Sequence, residues 1–380
     1  MAAPDPRLRV AAGLFGLLLS QAAHAEDAAP PPKPWYQLIT VNAFASLSYT
    51  WNFNNPSSNQ NQLRAFDLDH NSFRLDAAEL VVQKAVAANG DFGFRLDVAI
   101  GAVAKVGAAR GLFRDITSGT ASDLDQQQVF VSYVIPVGHG LRVDFGKFVT
   151  PVGAEFIEGY DGYNDNFSRS LLFTYAIPFT HTGFRFTYPF TDKVTVIAMV
   201  INGWDNVVDN NAAKSFGVQL AYTPISPLSL YVTYIGGPER DKNDTDFRHL
   251  IDAGMVWKPT WRFALTFNAD WGYDTNAIDD SPMLPAGAQW TGIALYLRVA
   301  LHRRFALIAR GEIFWDLDGY RTGVAQRVME ATLTPELRIT DALVLRADAR
   351  IDQSDHPVFD KSDGKRHYQP TVGLNAIYVF

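Results

Sequence analysis

Arginines and carboxylates recur two residues apart along this sequence. Examples are Arg74 with Asp76, Arg95 with Asp97, Arg142 with Asp144, Arg310 with Glu312, Glu336 with Arg338, and the run Arg346, Asp348, Arg350, Asp352. In an extended strand, successive side chains point to opposite faces, so residues i and i+2 share one. By the same parity Arg185, Arg262, Arg298, Asp252, Asp270 and Glu330 join the polar face. Two uses follow for such a face. It can be a salt-bridge lattice that stiffens a wall, or a charged lining that orients solutes in a water-filled space. Nearly every arginine has an acidic escort, so strong selectivity for one ion sign is not expected. A further set of acids, Glu155, Glu158, Asp161 and Asp165, stands in a glycine-rich stretch between two strand patterns.

Other chemistry finds little support. The chain has no H-E-x-x-H, G-x-S-x-G or phosphate-loop motif. His70-Asn71-Ser72 places a histidine near a serine, but adjacent residues at a loop–strand junction are weak evidence for a catalytic pair. Asp241, Asn243 and Asp246 share a loop that lacks the glycine and distal glutamate of a calcium loop, so a solvated acidic loop is expected there. The eight histidines are scattered and there are no cysteines. Neither a metal nor a cofactor is expected. The net charge of -7 is spread along the chain with no basic patch, which argues against a nucleic-acid partner.

The polar face must be positioned by strands, and the sequence supplies them throughout residues 36–380. Leu343, Leu345, Ala347, Ala349 and Ile351 alternate with Val344, Arg346, Asp348, Arg350 and Asp352. Tyr368, Val372, Leu374, Ala376, Tyr378 and Phe380 face away from Gln369, Thr371, Gly373 and Asn375. Each such segment has one apolar and one polar side. Tight connections such as Ala88-Asn89-Gly90-Asp91, Gly138-His139-Gly140 and Lys258-Pro259-Thr260 alternate with long polar ones at 54–70, 104–124, 150–177, 203–212, 237–247, 273–287, 317–323 and 354–366. Short turns at one end and long loops at the other are the pattern of a transmembrane antiparallel β-barrel, here of about sixteen strands in a single all-β domain. Residues 171–177 could be read as a strand, but the count would then be odd, so they are assigned to the preceding loop. An apolar face this repetitive needs lipid opposite it, because a soluble sandwich would use it as a dry core.

The ends of the chain agree with export. Arg7 and Arg9 precede the apolar run Val10–Leu19, and Ala23-His24-Ala25 has the form of a signal-peptidase site. A signal peptide over 1–25 is expected, followed by a Pro-rich periplasmic lead-in over 26–35. Tyr378 and Phe380 end the last strand on its apolar face and are the expected signal for the barrel-insertion machinery.

The segment Gln126–Glu155 closely resembles the OmpL-like β-barrel porins. So do Asn52-Phe53-Asn54-Asn55-Pro56, Pro178-Phe179-Thr180-His181-Thr182-Gly183, Asn202-Gly203-Trp204-Asp205 and Gly236-Gly237-Pro238-Glu239, in that order along the chain. The resemblance implies an outer-membrane porin and names no solute. In general porins the loop after the fifth strand folds inward and narrows the channel, and 150–177 is similar in position. That loop is therefore expected to set Glu155, Glu158, Asp161 and Asp165 opposite wall arginines Arg74, Arg95, Arg142 and Arg185. Arg310, Glu312, Arg346, Asp348, Arg350 and Asp352 are expected to line the pore. The expected function is passive diffusion of small hydrophilic solutes, with outer-membrane lipid around the barrel and a homotrimer as the assembly. The alternatives are a structural or surface-binding barrel with a closed lumen, and an outer-membrane barrel enzyme.

Overall fold

The computed structural model describes residues 34–278 and 286–380. The expected signal peptide and most of the Pro-rich lead-in lie outside the described residues. After a 3₁₀ turn at Trp35–Leu38, the strands are β1 (Thr40–Asn52), β2 (Ser72–Lys84), β3 (Phe92–Ile100), β4 (Leu124–Ile135), β5 (Leu141–Val149), β6 (Thr180–Thr191), β7 (Val194–Ile201) and β8 (Ser215–Ile225). They continue with β9 (Leu228–Pro238), β10 (Phe247–Thr260), β11 (Phe263–Ile278), β12 (Ala286–His302), β13 (Phe305–Asp316), β14 (Gln326–Arg338) and β15 (Leu343–Ser354). A small hairpin, β16 (Phe359–Lys361) and β17 (Gly364–Arg366), precedes β18 (Tyr368–Val379).

Each barrel strand pairs antiparallel with its sequence neighbours, and β1 pairs with β18 from Phe44↔Val379 to Asn52↔Thr371. Sixteen strands close the barrel. Closure removes sheet edges, so that strand backbone pairs all the way round the barrel, as a lipid surround demands. With an even strand number, the start of β1 and the end of β18 both lie on the short-turn side. Residues 172–176 form a π-helical turn rather than a strand, which keeps the count even.

The alternation read from the sequence is the inside–outside alternation of the wall. Leu345, Leu374, Phe267 and Val299 point outward, whereas Arg346, Asn375, Asn268 and Arg298 point inward. Arg262 departs from its expected place, because it lies in the exposed β10–β11 turn and stacks on Trp261 rather than entering the lumen. The inner face is also less uniformly polar than expected. On β7 the inward residues Ile197, Met199 and Ile201 are apolar, and Ile235 and Leu250 continue this patch onto β9 and β10.

Candidate functional site

The loop from Thr150 to Phe179 takes its hydrogen-bond partners from inward-facing wall residues. A chain segment away from bulk water must satisfy its backbone N–H groups, and wall carboxylates and the Asn268 amide oxygen accept several of them. Gly153 N–H donates to Asp252 on β10 at 3.0 Å, and Ala154 N–H to Asn268 on β11 at 3.1 Å. Leu171 N–H donates to Glu312 on β13 at 2.7 Å, and Ser168 N–H to Asp348 on β15 at 2.8 Å. Tyr160 N–H donates to Glu79 on β2 at 2.6 Å, while Trp290 Nε1 on β12 donates to the Ala176 carbonyl at 3.1 Å. Partners on β2, β10, β11, β12, β13 and β15 place the loop inside the barrel.

Its acids are all ion-paired, mostly with guanidiniums other than those expected. Glu155 meets Arg310 at 2.9 Å, and Arg310 also holds Glu330 at 2.7 Å. Glu158 meets Arg346 at 2.8 Å and Arg169 of the loop itself at 3.2 Å. Burial would push the Glu158 carboxyl up, but Arg169 and Arg346 hold it below its ordinary value. Asp165 meets Arg298 on β12 at 2.6 Å. Of the expected wall partners, only Arg95 reaches a loop acid, Asp161, at 2.7 Å. Arg74 instead pairs with Asp69 in the first long loop at 3.1 Å. Arg142 and Arg185 share Asp144. The reason is the loop's path. Glu312 and Asp348 bind its backbone against β13 and β15, which brings Glu155 and Glu158 to that wall and away from β5 and β6.

The i, i+2 rule holds in part. Arg95 bonds Asp97 at 2.8 Å, Arg142 bonds Asp144 at 2.7 Å, and Arg350 lies 3.3 Å from Asp352. Arg74, Arg310 and Arg346 take other partners, because a guanidinium reaches a neighbouring strand or loop as easily as its own strand. Arg350 also pairs with Asp67 of the first long loop at 2.6 Å, and Arg64 of that loop pairs with Asp352.

The two halves of the lumen differ. In the half toward the long loops, wall residues from strand after strand are 1% exposed or less, among them Phe148, His181, Ile201, Ile235, Leu250, Trp290, Phe314, Val328 and Asp352. Loop residues cover them. Leu171, Leu172, Phe173 and Ile177 join the apolar wall patch, and Phe66 packs its ring 5.6 Å from Phe173 and 5.7 Å from Phe179. Trp204 meets Trp290 at 6.4 Å, and Arg321 lies 5.1 Å from the Trp290 ring. Each such apolar side chain contributes about 1.5–3 kcal/mol on burial. This plug was not foreseen, although β7 carried a sign of it. Its run Val194-Thr195-Val196-Ile197-Ala198-Met199-Val200-Ile201 is apolar on both faces, which marks a strand packed on both sides.

In the half toward the short turns the wall from β13 round to β1 is also sealed, with Ile308, Ile377 and Phe44 at 1% exposure or less, but on the β3 to β6 side charged groups meet water. Asp161 and Asp165 are 46% and 38% exposed at the loop's surface. Arg142 and Arg185 are 21% and 16% exposed, while the Asp144 they share is 1% exposed behind them. A pair of glycines in the β5–β6 ladder, packed close on β4 and β7, fixes this corner. Gly146 and Gly183 are paired at φ +140° and +153°, and a side chain there would meet the Val129 or Val200 carbonyl at 2.1 or 2.2 Å. The Asp144↔Arg185 pair sits two residues away.

The two minor motifs are accounted for. His70 Nδ1 accepts the Asn52 N–H at 2.9 Å, and Ser72 Oγ donates to the His70 carbonyl, so the pair lacks the bond of a nucleophile and its base. Asp241 is bound by Arg110, and Asp246 by Arg240 and Asn243, so guanidiniums occupy the acidic loop. At the end of the chain, Tyr378 and Phe380 are exposed and their rings lie 4.4 Å apart.

Solved structures with the same fold include the outer membrane channel DcaP of Acinetobacter baumannii, with a TM-score of 0.59, 10% identity, and 90% of this chain and 97% of that one covered. The anion-selective porin from Comamonas acidovorans gives 0.60, 10% identity, and 90% and 99% coverage. The trimer form of OmpT, an outer membrane protein of Vibrio cholerae, gives 0.58, 11% identity, and 90% and 99%. No curated protein is a significant sequence match. The family model described as "Putative beta-barrel porin-2, OmpL-like" matches residues 38–380. The chain belongs to this OmpL-like porin family and is an outer-membrane porin, a passive diffusion channel.

Proposed function

We propose that the loop at 150–177 is the constriction of this channel, and that conduction depends on its position. The observation that carries the reading is the loop's docking across the lumen: it covers the wall toward the outside, while Asp161, Asp165, Arg142 and Arg185 stay partly open to water on the periplasmic side. A polar, wet chamber lowers the cost of bringing a hydrophilic solute into a low-dielectric slab. Asp161 and Asp165 on the loop, facing Arg95 and Arg298 on the wall, supply the transverse charge separation. The buried pairs of Glu155 and Glu158 anchor the loop. Asp348, Arg350 and Asp352 serve the lattice and the docking of the loops. No step in this function is chemical.

The signal peptide over 1–25 and recognition of the terminal strand by insertion machinery complete the proposal, as does assembly into a homotrimer, the form recorded for OmpT of Vibrio cholerae. Single-channel recording of the refolded protein in a planar bilayer tests the central reading. Discrete openings that become longer when Glu155 and Glu158 are neutralised are expected. Silence in both proteins would favour a structural barrel with a closed lumen.

A further inference from the structure

We infer that Arg142 and Arg185 form an oxyanion-binding subsite in the periplasmic half of the lumen, a station for solutes that carry a carboxylate or phosphate group. The inference rests on the channel reading above and names the solute class for it. Charge is the first argument. Arg95 is matched by Asp97 and Asp161, and Arg298 by Glu336 and Asp165. Arg142 and Arg185 have one carboxylate between them. At this pair the guanidiniums outnumber the acid they contact, whereas at Arg95 and at Arg298 the acids outnumber the guanidinium.

Layering is the second argument. Asp144 lies behind the guanidiniums and they stand before it, so a solute arriving from the chamber meets cations. The acid is already saturated. It accepts from Arg142 Nε at 2.7 Å, from Ser132 Oγ at 2.5 Å, and from Arg185 Nε and Nη2 at 2.9 and 2.7 Å. Arg142 Nη2 turns to Ser132 at 3.3 Å. Among the described residues, Nη1 of neither arginine donates a hydrogen bond.

Preorganisation is the third. The two guanidinium carbons lie 6.0 and 5.4 Å from the centroid of the same ring, Phe130, and Arg185 is also 4.5 Å from that of Phe148. Aromatic faces and a shared acid hold both side chains, so little rotamer freedom remains to be lost when a solute binds. Planar N–H donors match the oxygen spacing of carboxylate and phosphate, and guanidinium is more weakly hydrated than ammonium. Because the chamber is wet, the effective dielectric is high and the binding weak, as a station in a diffusion path requires.

The test uses inorganic phosphate as the probe on the full refolded barrel, with two readouts. In a planar bilayer under a potassium chloride gradient, the reversal potential should lie on the chloride side, and added phosphate should reduce the chloride current in a saturable way. By calorimetric titration in detergent, phosphate should bind at millimolar concentration. The variant R142Q/D144N/R185Q removes both guanidiniums without stranding the acid. It should weaken phosphate binding at least about tenfold, the loss expected for one charge-assisted hydrogen bond, and move the reversal potential toward potassium. A heat-modifiable band on gel electrophoresis confirms that the variant folds, and R142Q alone gives a milder second case. Potassium preference in the parent protein, or phosphate binding and block of equal strength in the variants, overturns the subsite. If no conductance appears, the channel reading fails and the titration still decides the subsite. Loss of phosphate binding in the variant upholds it, and no binding to the parent protein overturns it.

Discussion

Glu158 in the lumen loop and Arg346 on β15 make a two-point contact, Nη1 to Oε1 at 2.8 Å and Nη2 to Oε2 at 3.1 Å, with both side chains shielded from water. Arg346 also donates to Asn375 of β18 at 2.8 Å, so one guanidinium ties the loop to two strands. Removing one partner of a buried pair leaves the other charge without compensation, at a cost of roughly 3–5 kcal/mol. Arg346→Met should therefore lower the unfolding midpoint in guanidinium chloride and expose residues 150–177 to protease. An unchanged midpoint and an uncleaved loop would show that the pair is not an anchor.

Lipid-facing and lumen-facing positions should respond oppositely to charge. Leu345→Arg, Phe267→Arg, Val299→Arg or Leu374→Arg should cost roughly 2–4 kcal/mol near the midplane. Thr266→Arg, on the half-exposed inner wall, should cost much less. Asn375 is an exception among inward residues. It donates to Ser46 at 2.9 Å and to Asp76 at 3.3 Å besides accepting from Arg346, so its replacement should be expensive too. Equal costs at Leu345 and Thr266 in unfolding titrations would contradict the assignment of faces.

The strands were legible because two different solvents impose a period of two on every one of them. Leu343–Ser354 shows this, with each charged residue inward and each outward residue apolar, uncharged or both. The site was less legible. Glu155 and Arg310 are 155 residues apart, and Glu158 and Arg346 are 188 apart. Parity says that both members of such a pair face the lumen. It does not say where the loop crosses, and the crossing is set by backbone N–H groups of Leu171 and Ser168 seeking Glu312 and Asp348. Arg64 and Asp67 were missed for the same reason, since their partners Asp352 and Arg350 lie across the closure of the barrel.

Phe380 closes the last strand beside Tyr378, and its N–H donates to the Ala43 carbonyl of β1 at 2.9 Å. Deleting Phe380 should reduce the amount of barrel assembled in the outer membrane and leave single-channel properties of the inserted fraction unchanged. Normal assembly of the deletion would remove Phe380 from the insertion signal.

The outer loops should loosen with rising pH at one joint and not at another. Glu239, just past β9, accepts from Trp204 N–H at 2.7 Å and from Ser215 Oγ at 2.6 Å. Burial pushes its carboxyl up to about 7, with Arg248, Ser215 and the Trp204 N–H pulling the other way and Asp205 adding to the rise. The folded chain thus binds the extra proton between the ordinary 4.5 and about 7. Its stabilising effect is complete below that window and lost as pH rises through it. Asp241, hydrogen-bonded by Arg110 and Asn210, is held down to about 2 and stays charged throughout. Hydrogen exchange over 203–215, corrected for intrinsic rates, should be faster at pH 8 than at pH 5, and Glu239→Gln should flatten the difference. Equal protection at both pH values would place the proton elsewhere.

Two pairs of loop acids should separate selectivity from stability. Asp161 and Asp165 are the loop's exposed carboxylates, so their charge acts on ions in the chamber. Glu155 and Glu158 are buried against Arg310 and Arg346, so their charge is cancelled at close range before it reaches an ion. D161N/D165N should then shift the reversal potential in a salt gradient toward anions with little change in the unfolding midpoint. The shift should shrink at high salt, because exposed charges are screened over about 8 Å at physiological ionic strength. E155Q/E158Q should do the reverse, lowering stability and lengthening openings while the reversal potential moves little. Arg95→Gln, which leaves Asp161 without its wall partner, should move selectivity toward cations. Were E155Q/E158Q to carry the larger selectivity shift, the buried pairs would lie on the ion path and the loop's exposed edge would not be the pore wall.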